Sequence, residues 1–182
     1  MGPTLINGLP AHVLLVHFVI VLVPLIALVL VVTTVWTTWI RRLGVVLPLF
    51  ALVTLISVPI TTHAGEWLEK RVPRGPLVRT HADLGDTLLP WVAALFVVSV
   101  AVWWFGRRAM VHSSAHRHTH THARAGLSGA VPLSMPVRVA AIVLSVVVAA
   151  GCVVQVYRIG DSGAKAAWQN GFSATPVSGK GN

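Results

Sequence analysis

Charged side chains are scarce in this chain. They make up 10% of its 182 residues, where a soluble domain carries about 25%. That scarcity excludes an ordinary water-soluble globule. Acids are scarcer still, five Asp and Glu in all. The single cysteine, Cys152, excludes an intrachain disulfide. Lying inside an apolar run, it reads as a small buried residue. Residues 1–10 carry no Lys or Arg, so the basic start of a secretory signal is missing. The run that follows is too long for a signal core and has no small-residue cleavage site at its end. A retained transmembrane helix is expected instead. Aromatic and basic residues do not interleave, and no recognition-helix pattern occurs, which excludes nucleic acid as a partner.

What is abundant is apolar. Hydrophobic residues reach 55% and the mean hydropathy is +0.77. They fall into runs long enough to cross a bilayer, about 20 residues for a helix. Four spans are expected, at about 11–40, 44–62, 88–106 and 137–157. The fold class is therefore an all-α membrane protein, a four-transmembrane-helix bundle with a structured loop between helices 2 and 3. The partner implied by composition is the lipid bilayer. Pro24 is expected to kink the first span, and Pro48 and Pro59 to interrupt the hydrogen-bond ladder of the second. Trp36 and Trp39 before Arg41 and Arg42, and Trp103 and Trp104 before Arg107 and Arg108, read as interfacial belts. Residues 107–136 form a basic, His-rich loop. Residues 161–182 form a polar tail, partly disordered at its Gly-, Ser- and Pro-rich end. No repeat period is visible, and residues 1–160 read as one domain.

Net charge is +9, and the basic excess reads as a topology signal. Lys and Arg divide evenly, seven in the first and third loops against seven in the second loop and tail. The neutral N-terminal stretch breaks the tie and places both termini outside the cytoplasm.

The residues from Thr61 to Pro90, TTHAGEWLEKRVPRGPLVRTHADLGDTLLP, hold four of the five carboxylates together with His63 and His81. A membrane protein that gathers ionisable groups at one spot usually shows where its chemistry lies. With four spans, His12, His63, His81 and Asp161 all fall in one leaflet. His17 lies about 7.5 Å deeper than His12. The candidate cofactor or metal ligands are His12, His17, His63 and His81, with Glu66 as a further metal ligand. Asp86 and Asp161 are candidates for orienting the ligands or handling protons. Neutral imidazole is the commonest metal ligand, and two histidines on facing helices can clamp haem iron from both sides. His12 and His17 are about 140° apart on a helix and cannot easily share one ion. His63 and Glu66, three apart, share a face. Asp83 and Asp86 read foremost as caps of a helix start. The plainer alternative for each histidine is an interfacial anchor bonded to backbone.

The loop histidines His112, His116, His118, His120 and His122 form a candidate loose metal-binding tract. The plainer alternative is a flexible basic loop. Gly160-Asp161-Ser162-Gly163 matches a string seen around serine-protease nucleophiles, but no domain exists here to activate the serine. It is expected to stop the last helix and cap a short one at 164–168.

The words NGLPAHVLLVHF, TTHAGEWLE, THADLGDTLLP and RIGDSGAKAAW together resemble the bacterial membrane-protein family catalogued as domain of unknown function 2231. The resemblance implies a small four-helix membrane protein of the bacterial cytoplasmic membrane and no established activity. Some relatives carry a fused Rieske-type iron–sulfur domain, which implies redox chemistry nearby. This chain has one cysteine and no room for such a domain.

The leading expectation is a His-lined site near the outer leaflet that binds haem b or a transition metal ion and serves electron transfer. Its partner would be a redox protein or a larger membrane complex. Alternatives are a transition-metal binding or transport-related protein, or a structural accessory subunit. No credible nucleophile–base pair argues for an enzyme.

Overall fold

A computed structural model describes residues 5–6, 8–36, 38–39, 43–73, 75–115 and 135–168, with only the backbone at 109–115. A two-stranded antiparallel hairpin, β1 (Leu5–Ile6) and β2 (Leu9–Pro10), precedes the helices. Gly8 turns the hairpin at φ 80°, a value that favours glycine. Five helices follow: α1 (Ala11–Val35), α2 (Val46–Glu69), α3 (Pro76–Asp86), α4 (Leu88–Ala115) and α5 (Met135–Trp168). Four segments are long and apolar enough to cross a membrane: α1, α2, α3 with α4, and α5. The chain is thus an all-α bundle of four candidate spans.

Each span buries one stripe and exposes the rest. On α1 the stripe is Val19, Leu22, Val23, Ile26, Ala27 and Leu30, at helical spacing. On α2 it runs Leu47, Ala51, Thr54, Val58, Thr61. On α4 it is Leu88, Val92, Leu95 and Ser99, and on α5 Ser145, Val148, Cys152, Val156 and Ile159. The outward faces are as apolar as the inner ones: Val21 is 67% exposed, Leu28 61% and Val97 62%. Water would not tolerate such a surface around a whole bundle, whereas lipid does.

Between lipid-solvated helices there is little hydrophobic drive, so small and hydroxyl-bearing residues line the contacts. Ala27, Ala51, Ser99, Ser145 and Cys152 are all buried. Their hydroxyl-bearing neighbours satisfy themselves within their own helix, as Ser99 donates to Leu95 and Ser145 to Ala141, each at 2.7 Å. At one crossing a tryptophan meets bare backbone: a Cβ on Gly151 would lie 1.9 Å from the Trp91 ring.

Several boundaries differ from the sequence reading. The first span ends at Val35, because Trp36 adopts extended backbone. The second does not stop at 62 but continues to Glu69, carrying His63, Glu66 and Trp67 on the helix. The loop between spans 2 and 3 contains the amphipathic helix α3, opened by Pro76 in its first turn. Asp83 and Asp86 therefore lie in its C-terminal half and are not caps. Pro48 falls in the first turn of α2, where its missing N–H removes no bond; only Pro59 lies in the interior. The third span runs on to Ala115, so residues 107–115 are helix and not loop. The last span begins at Met135, inside the expected loop, and runs through GDSG to Trp168, so residues 161–168 are not tail and the motif is neither stop nor cap. Ser162 turns its hydroxyl back to the Ile159 carbonyl at 2.8 Å. Asp161 pairs with Lys165 one turn on, at 2.7 Å.

Candidate paired-histidine site

The site forms where four helix ends meet on one side of the bundle. His12 enters from the first turn of α1 and His81 from the middle of α3. Their ring centres lie 6.3 Å apart, with planes at 79°. Both rings are half-buried and both line the same small cavity, about 50 Å³ in volume. Its other walls are apolar, among them Val16, Ile20, Val58, Leu88 and Val156.

Each imidazole is held by a different neighbouring helix. His12 Nδ1 donates to the Thr61 carbonyl on α2 at 3.0 Å. His81 Nδ1 donates to the Ile159 carbonyl on α5 at 3.1 Å. A carbonyl can only accept, so in both rings Nδ1 carries a proton, and in the neutral form of each ring Nε2 keeps its lone pair. The His81 Nδ1–H is shared with the Ser162 hydroxyl oxygen at 3.0 Å. The equivalent place beside His12 is Ala64, which offers no such acceptor.

Glycines make these approaches possible. A Cβ added at Gly65 would stand 3.0 Å from His12 Cε1 and 3.1 Å from its Nδ1. One added at Gly163 would stand 3.0 Å from His81 Cε1 and 3.2 Å from its Nδ1. The sequence reading missed Thr61, Gly65, Ile159 and Gly163. The signal available was a glycine within each of the words HAG and DSG, but a glycine near the end of an apolar run reads first as a helix stop.

The other candidates lie elsewhere. His17 is exposed on α1 and its Nδ1 donates to the Val13 carbonyl of its own helix. His63 is 78% exposed and stands 3.7 Å from Glu66, itself 63% exposed; this pair faces away from the bundle. Asp86 is exposed and, five residues after His81, projects from a different face of α3. Asp161 is engaged by Lys165. His112 lies where only backbone is described, and His116, His118, His120 and His122 lie outside the described residues. Of the candidates His12, His17, His63, His81 and Glu66, the described structure brings His12 and His81 together and sets His17, His63 and Glu66 apart from them. Among the described residues no three His, Cys, Asp or Glu side chains converge on one point.

Two imidazoles can hold one class of metal centre without a third protein ligand. In haem the four equatorial donors come from the porphyrin, and the protein supplies the axial positions. His12 and His81, with ring centres 6.3 Å apart and planes at 79°, are the residues that would hold such a group. The cavity as it stands does not enclose a macrocycle, which takes roughly 300 Å³ or more. Side chains such as Val16 and Val58 must swing aside to admit one.

Residues 8–176 match the family described as "Predicted membrane protein (DUF2231)". No curated protein matches the chain, and no solved structure does.

Proposed function

The chain belongs to the DUF2231 family of predicted membrane proteins, and on that footing we propose that it is a b-type haem protein of the membrane that carries electrons. His12 and His81 would hold the haem. The observation that carries this reading is the pairing itself, ring centres 6.3 Å apart on one cavity with each Nδ1 tied to a backbone carbonyl, which leaves Nε2 as the atom available to a ligand. Bound haem b would supply a one-electron Fe(III)/Fe(II) couple. The chain's own residues orient the two rings, fix their tautomers and keep water from the apolar walls.

The site lies at one membrane face, so electrons would leave or arrive there, through a redox partner docking on that side. With Lys and Arg evenly divided, the neutral N-terminal stretch supports reading that face as the outside of a bacterial cytoplasmic membrane, with both termini on it. A protein-ligated transition-metal ion has less support, because two imidazoles alone do not complete a tetrahedral site.

The deciding experiment is an absorption spectrum of protein produced with ample haem and purified in mild detergent, taken oxidised and then reduced with dithionite. A Soret band that shifts on reduction, and is lost in both His12→Ala and His81→Ala, is the expected result. No Soret band but stoichiometric zinc, copper or iron by elemental analysis overturns haem in favour of a metal-ion site. A colourless, metal-free and stable protein overturns both and leaves a structural subunit.

A further inference from the structure

The two histidines are seated by the same device, built twice. In each case the imidazole donates to a backbone carbonyl, Thr61 for His12 and Ile159 for His81. In each case the glycine lies four residues further along the same helix, Gly65 and Gly163. In an α-helix the carbonyl of residue i already accepts from the N–H of residue i+4. The side chain at i+4 leans back towards the N-terminus and covers that carbonyl from outside. An imidazole can reach the oxygen as a second donor only if the covering side chain is missing. The contacts repeat nearly atom for atom: a Cβ at either glycine would meet Cε1 at 3.0 Å and Nε2 at 3.7 Å. Both glycines sit inside helices, where glycine is less favourable than alanine by roughly 0.5–1 kcal/mol. Neither has a positive φ that would call for glycine on backbone grounds, since among the described residues only Gly8 and Gly44 do.

We propose that Gly65 and Gly163 are positioning residues, each opening a carbonyl notch that locks one histidine of the shared cavity in the Nδ1–H tautomer, with Nε2 left unprotonated. The ligand thus orientated is a metal centre that takes two neutral imidazoles, and in this respect the proposal rests on the haem reading. The tautomer does not rest on it and can be read without any cofactor.

The test begins with cofactor-free protein carrying ¹⁵N-labelled histidine, observed by NMR above the pH at which imidazole protonates. His12→Ala and His81→Ala variants assign the two signals. Wild type is expected to show protonated Nδ1 and bare Nε2 at both. Gly65→Ala should release the tautomer at His12 and leave His81 unchanged, and Gly163→Ala should do the converse. Bare Nδ1 at either histidine in wild type overturns the proposal, as does a Gly65→Ala protein that keeps the His12 signal. Should either alanine variant fail to fold, the wild-type tautomers still decide.

Haem titration adds a readout that a purely structural role would not move. Wild type should give a low-spin, six-coordinate spectrum. Each glycine variant should bind haem about 10–100-fold more weakly and turn high-spin, with the low-spin spectrum restored by added imidazole. If wild type takes up no haem, the haem reading fails and the tautomer result still stands or falls by itself. A variant that loads haem as tightly as wild type and stays low-spin overturns the positioning role.

Discussion

His12 and His81 face each other across 6.3 Å with ring planes at 79°, yet each is anchored to a helix the other does not touch through hydrogen bonds. The two rings are set independently and meet only in the cavity between them.

That independence makes the ligand assignment selective. His12→Ala and His81→Ala should each abolish the low-spin haem spectrum. His17→Ala and His63→Ala should leave it intact, because His17 bonds to its own helix and His63 points outward beside Glu66. Spectra of the four single variants, prepared side by side, are the measurement. Loss of the band in His63→Ala with its survival in His12→Ala would reverse the assignment.

The contact of Trp91 with Gly151 should be intolerant of even one methyl group. Gly151→Ala puts a carbon 1.9 Å from the indole, so α4 and α5 must separate. A destabilisation of about 1–3 kcal/mol is expected from such overpacking. Thermal unfolding in detergent reads it, and a Trp91→Leu change in the same chain should restore much of the loss.

A polar link from the buried Gln155 on α5 reaches the exposed Thr87 at the joint between α3 and α4. Gln155 Nε2 donates to Thr87 Oγ1 at 2.6 Å, and Thr87 donates onward to the Leu84 carbonyl at 2.6 Å. Thr87→Val leaves the Gln155 amide without its acceptor, and because Thr87 itself is exposed the cost is about 0.5–1.5 kcal/mol. Thr87→Val combined with Gln155→Leu should cost less than Thr87→Val alone. A double-mutant cycle on unfolding midpoints tests it.

Cys152 supplies an internal gauge of bundle integrity. It is fully buried, with its sulfur 3.6 Å from the Trp91 carbonyl. A maleimide should leave it unmodified in folded protein and label it once strong detergent opens the bundle. Rapid labelling under native conditions would contradict the packing of α5 against α4.

The four spans were legible because a membrane helix announces itself by composition over some 20 residues. No knowledge of neighbours is needed for that. Their ends were not legible. α2 and α5 both run past the apolar stretch into polar sequence, and those extra turns carry Gly65 and Gly163. His12 and His81 could be picked out as polar groups at the same membrane face. That they pair with each other, and not with His17 or His63, depends on carbonyls 49 and 78 positions away. The matching of the two halves escaped a search for a repeat for a similar reason. The long stretch between α4 and α5 separates the second histidine from its glycine more widely than the first. The period is lost in sequence while the contact survives in space.

The notches also divide the labour of the chain in a particular way. The first half carries a histidine and the groove that seats it, and so does the second. Each half thus holds the parts that seat one imidazole. What neither can supply is an opposite number. Only the closed bundle brings the two rings to one cavity.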